Sequence, residues 1–61
     1  MTRPKYFIRV NGMAASRDMT HGRAMKAADQ AHAARPDAVI SIVQVHPETF
    51  RPCCESVLFA A

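Results

Sequence analysis

A chain of 61 residues has room for one domain, and a domain of that size buries only about 60% of the surface its unfolded form exposes. Hydrophobic residues make up 49% of it, but much of that is alanine, which adds little buried area, so marginal stability is expected. The formal charge of +3 divides into +5 over residues 1–35 and −2 over residues 36–61, which makes the N-terminal part the basic one.

Lys5 to Val10 alternates, with Tyr6, Ile8 and Val10 on one face and Lys5, Phe7 and Arg9 on the other, as a strand requires. Asn11-Gly12 follows. This dipeptide is the strongest short hairpin signal, because both central residues of a type I′ turn need positive φ. Pairing across the turn sets Val10 opposite Met13, Ile8 opposite Ala15 and Tyr6 opposite Arg17, and the short second strand reads as a sheet edge.

Thr20 is placed as a helix N-cap, with Met19 and Ala24 as a weak hydrophobic staple. Helical spacing gathers Ala24, Ala27, Ala28, Ala31 and Ala34 on one stripe, flanked by Met25 and His32, while Arg23, Lys26 and Gln30 fall on the outer side. A stripe of alanines lets the helix axis sit close to a sheet. Pro36 ends the helix, since the residue before a proline is pushed out of the α region.

Ala38 to Val45 is the strongest strand, apolar on both faces apart from Ser41 and Gln44, and such a strand is usually central. A long connection from His46 to Ser56, carrying Pro47 and Pro52, is expected to lead to a last antiparallel strand over residues 57–60. The fold class expected is therefore α+β: a small antiparallel sheet of about four strands in ββαββ order, with one helix packed on one face of a single domain spanning residues 1–61. The other face would stay open, carrying Phe7, Arg9 and an aliphatic row.

Chemistry-bearing clusters are sparse. Cys53 and Cys54 are adjacent, so they cross-link nothing distant, and paired zinc cysteines are normally two to four residues apart. No metal or other cofactor is expected. A Cys/His nucleophile pair would need Cys53 or Cys54 beside His21, His32 or His46, with an oxyanion site in a walled pocket, and no enzymatic role is expected. Gly22 sits in the first helical turn, where exposed amides favour anions, but without the clustered glycines of a phosphate loop. Free thiols and the lack of an N-terminal apolar stretch suggest a cytoplasmic protein with no membrane partner.

These features point to a non-enzymatic interaction protein that binds a protein or nucleoprotein surface. Its expected contacts are Arg9, Arg17, Arg23 and Lys26, with Phe7 as the apolar anchor, since arginine and aromatic side chains dominate binding energy. Two alternatives stand beside it. One is sequence-tolerant binding of nucleic acid by the basic hairpin and helix, and the other is a small structural homodimer joined through the open sheet face. The layout of hairpin, capped helix and two further strands resembles small phage-encoded inhibitors, including anti-CRISPR proteins that fold one helix against one sheet. That resemblance implies an inhibitor, and it transfers no residue, because fold alone does not carry function.

Overall fold

The computed structural model describes residues 3–60. Five elements follow in chain order: β1 (Lys5–Val10), β2 (Met13–Ala14), α1 (His21–Ala34), β3 (Ile40–Val45) and β4 (Pro52–Phe59). The strands form one antiparallel sheet in the order β2-β1-β3-β4, so the architecture is the expected ββαββ α+β fold with the most apolar strand in the middle.

The first hairpin turns where expected, with Asn11 at φ 52° and Gly12 at φ 82°, both in the left-handed region of a type I′ turn. Val10 pairs with Met13, and the Ala15 amide donates to the Ile8 carbonyl at 2.9 Å, so the inner part of the expected register is present. The outer part differs: Tyr6 is bridged to Met19, not set opposite Arg17. The cause lies at Ser16, whose Oγ accepts the Ile8 amide at 3.0 Å in place of a backbone carbonyl. The chain swings out there and returns at Met19, which exchanges two 2.7 Å backbone hydrogen bonds with Tyr6.

Thr20 occupies the N-cap position, yet its hydroxyl makes no capping hydrogen bond. Only its carbonyl is engaged, accepting the Ala24 amide at 2.9 Å. At the other end Arg35 leaves the helical region at φ −136° and ψ 78°, as a residue before proline must. Ala24 and Ala28 are fully buried, and Ala27, Ala31 and Met25 pack around them, against a cluster built from Ile8, Ala38, Ile40 and Ile42. Of the alanine stripe only Ala34 is exposed.

β3 begins at Ile40, two residues later than the sequence suggests. Ala38 and Val39 are used in the turn instead: the Ala38 amide donates to Arg35, and Val39 exchanges hydrogen bonds with Asn11 through its amide and its carbonyl. The isoleucines of β3 join the helix-side core, while Val43 and Val45 lie on the opposite face and are buried as well.

The largest departure is the β3–β4 connection. It occupies residues 46–51, and Pro52, Cys53, Cys54 and Glu55 belong to a last strand that starts well before residue 57. Local bonding explains the compactness. His46 Nδ1 accepts the Glu48 and Thr49 amides, the His46 carbonyl accepts the Phe50 amide, and the His46 amide donates to Arg51. Closing the turn holds Phe50 at φ 57°, a conformation that costs a bulky L-residue about 1–2 kcal/mol. Phe50→Gly should therefore raise stability by roughly 0.5–1 kcal/mol after the greater unfolded-state freedom of glycine is counted. A thermal midpoint higher by a few degrees would show it, and a lower one would mean that the exposed ring itself stabilises the loop.

Candidate functional site

A helix is about 10–12 Å wide and neighbouring strands lie about 4.8 Å apart, so one helix covers about two strands. Here α1 packs on β1 and β3. β4 projects beyond it, and every residue from Glu48 to Val57 is exposed.

The expected contact residues separate onto two sides of the sheet. Phe7 and Arg9 project from β1 on the face away from the helix, since their neighbour Ile8 points into the helix-side core. Arg23 and Lys26 lie on the outer surface of α1, on the other side of the molecule. Arg17 is exposed in the connection between β2 and α1. Phe7 and Arg9 are thus brought together with each other, but not with the other three.

The open face carries Phe7 and Arg9 as expected, with an acidic partner that alternation did not place there. Arg9 pairs with Glu55 at 3.0 Å across β3, its guanidinium lies 5.6 Å from the Phe7 ring centroid, and the buried Ser41 hydroxyl donates to the other Glu55 oxygen at 2.6 Å. The register explains the reach, with Arg9 beside Ser41 and Glu55 beside Val43 on adjacent strands. Beneath this clasp Val43 is only 1% exposed. Arg9 is therefore engaged within the chain, whereas no ion pair holds Arg17, Arg23 or Lys26 among the described residues.

The sequence reading missed Glu55 and Ser41 because it assigned Glu55 to a loop. Ser41 was the available signal: a lone hydroxyl in an otherwise apolar central strand needs a partner nearby. Phe50 is 79% exposed at the tip of the β3–β4 turn, and nothing in Pro47-Glu48-Thr49-Phe50 announces a left-handed residue.

The thiols and imidazoles are dispersed. Cys54 pairs with Gln44, while Cys53 is the extra residue where β4 slips register beside Val45, its thiol donating to the Gln44 carbonyl at 3.5 Å. Desolvation, followed by the neighbouring Cys54 thiol, raises the Cys53 thiol above its ordinary value, which lowers the thiolate fraction that would make it a nucleophile. His21 meets the Tyr6 ring edge-on at 4.9 Å, while His32 stacks on Phe59 at 4.0 Å. Among the described residues no three His, Cys, Asp or Glu side chains gather where they would hold a metal ion. No helix among the described residues is long and apolar enough to cross a membrane.

The depressions on the surface are open grooves. One of about 350 Å³ runs between the first hairpin and the helix C-terminus, lined by Val10, Met13, Ala14, Ala31 and Arg35. Another of about 360 Å³ lies at the helix N-terminus between Arg3, Tyr6 and His21. No protein-family model, no curated protein and no solved structure matches this chain.

Proposed function

We propose that this is a non-enzymatic interaction protein whose helix side meets an acidic surface on a protein or nucleoprotein partner, acting as a small inhibitor of the kind its layout resembles. The observation that carries the reading is the state of the basic residues. Arg23 and Lys26 stand one turn apart on the outer face of α1, exposed and without an acidic partner among the described residues, and no acidic residue occupies the first turn of that helix. Residues three apart on a helix are side-chain neighbours, so the two cations form one positive patch, bordered beyond Lys26 by Asp29, that would attract and orient an acidic partner.

The groups that a catalytic reading would need have other employment. His46 Nδ1 accepts two backbone amides, His32 is stacked on Phe59, and the Cys53 thiol is pushed towards its neutral form. Arg9 and Phe7 lie in the clasp on the far face, where Glu55 already engages Arg9, and the proposed site does not include them.

Replacing Arg23 and Lys26 together by alanine should leave stability within about 0.5 kcal/mol, because both side chains are exposed. Affinity for a partner captured from nuclease-treated lysate should fall about tenfold or more, since truncating a central interfacial arginine commonly costs over 1 kcal/mol. Unchanged capture by the double variant would remove the helix face from the site. Capture that vanishes with nuclease and weakens steeply with salt would transfer the patch to nucleic acid.

A further inference from the structure

We infer that the free edge of β4 pairs antiparallel with β4 of a second copy of this chain, continuing the sheet across a two-fold axis. This inference stands apart from the proposed function, because it concerns the sheet edge and leaves the outer face of α1 open.

The two edges of the sheet are unlike. β2 is two residues long, which is one of the ways that natural sheets blunt an edge. β4 is eight residues long, and among the described residues no other element covers its free side, although Pro52 and two irregularities blunt its ends. Its irregularities fall towards the ends, at the register shifts opposite Ile40/Ser41 and Gln44/Val45, and its one proline is the first residue. The span Cys54–Val57 between them is a regular run of strand whose outward backbone donors and acceptors have no strand partner among the described residues.

Charge does not oppose self-pairing. The only ionised side chain on the strand is Glu55, and Arg9 and Ser41 of the same chain hold both of its oxygens on the open face. A second copy therefore meets a strand whose single charge is already compensated. An antiparallel pair of identical strands is also isologous, so each favourable contact occurs twice.

Surface area favours a second copy as the occupant. The chain exposes 4536 Å², against about 3,900 Å² expected of a compact monomer of 6.7 kDa. A standard interface takes about 800 Å² from each partner, which would bring the exposed surface per chain back near the compact value. The shape agrees, at 36 × 18 × 14 Å, with unbroken exposure from Glu48 to Val57 along the projecting β4 hairpin. The axis relating two paired edge strands runs normal to the sheet, so both helices come to lie on one side and the dimer doubles the Arg23/Lys26 face.

Parity supplies a test that does not depend on register. Residues directly opposite one another in an antiparallel pair share a face, so in the regular span even-numbered positions oppose even-numbered ones. Cys54 and Ser56 are the even positions, and the paired variant Cys54→Lys/Ser56→Lys sets lysine against lysine in every central register. Sedimentation over micromolar to millimolar concentration should give twice the 6.7 kDa chain mass for the natural protein and the single-chain mass for the variant. A natural protein that stays at single-chain mass throughout, or a folded variant that still dimerises, would overturn the pairing. Should the variant fail to fold, hydrogen exchange of the natural protein decides. Protection of the outward β4 amides that rises with concentration supports the dimer, and protection independent of concentration rejects it.

Discussion

Ile40→Ala should destabilise the protein by about 2–5 kcal/mol, the range for deleting a fully buried branched aliphatic side chain and leaving its cavity. Ile40 is 0% exposed and pairs with Val10 on one side and Phe59 on the other, so it joins three strands at the end of the sheet nearest the helix C-terminus. A small domain has little reserve: at about 0.05–0.15 kcal/mol per residue, total stability is only about 3–9 kcal/mol. For a chain of this size each kcal/mol moves the thermal midpoint by about 4–8 °C, so a fall of about 10 °C or more is expected by circular dichroism. Val39→Ala is the control, since the neighbouring Val39 side chain is 40% exposed and its turn contacts are made by backbone atoms. That variant should stay within about 0.5 kcal/mol of the natural protein. Equal losses in both would mean that the apolar junction is not centred on Ile40.

The strand that carries Ile40 was legible in the sequence as the central one, but not which of its faces meets the helix, and the reasons mark where sequence reading stops. Short-range rules carry the hairpin, because Asn11-Gly12 has one low-energy turn and that turn sets the register of Val10 and Met13. They carry the helix and its end before Pro36, and the central position of an apolar run such as Ile40-Ser41-Ile42-Val43. They fail where a side chain substitutes for backbone. Ser16 accepting the Ile8 amide displaced the outer pairing to Met19, and His46 accepting two amides closed in six residues a connection that its prolines made look long.

The candidate site was less legible than the fold for the same reason. Composition identifies a basic part of the chain, but it cannot say which cations are neutralised. That depended on Glu55 entering β4, beside Val43 and within reach of Arg9 and Ser41. One acidic residue moved from loop to strand divides the five expected contacts. Arg9 is paired with Glu55 beside Phe7, whereas no ion pair holds Arg17, Arg23 or Lys26 among the described residues. The same placement of Glu55 lengthens β4 and gives the edge on which the proposed dimer rests.

Ala28→Leu tests the link between alanine spacing and the close approach of helix to sheet. Ala24 and Ala28 are both 0% exposed, one turn apart on the buried side of α1, in a cluster with Ile8, Ala38, Ile40 and Ile42. An isobutyl group at position 28 has no space there, and overpacking of this kind costs about 1–3 kcal/mol through displaced side chains and backbone. Helix propensity does not confuse the result, because leucine ranks close to alanine, and Ala33→Leu on the exposed side supplies the matched control. Urea unfolding should show the loss for Ala28→Leu and a change within about 0.5 kcal/mol for Ala33→Leu. The patch proposed to bind a partner adds a second readout. Arg23 and Lys26 ride on the face opposite Ala28, so a folded Ala28→Leu protein whose helix is lifted as a rigid rod should keep its affinity for the captured partner. A loss matching that of the Arg23/Lys26 double variant would show instead that the patch requires the helix to be seated at its natural distance from the sheet.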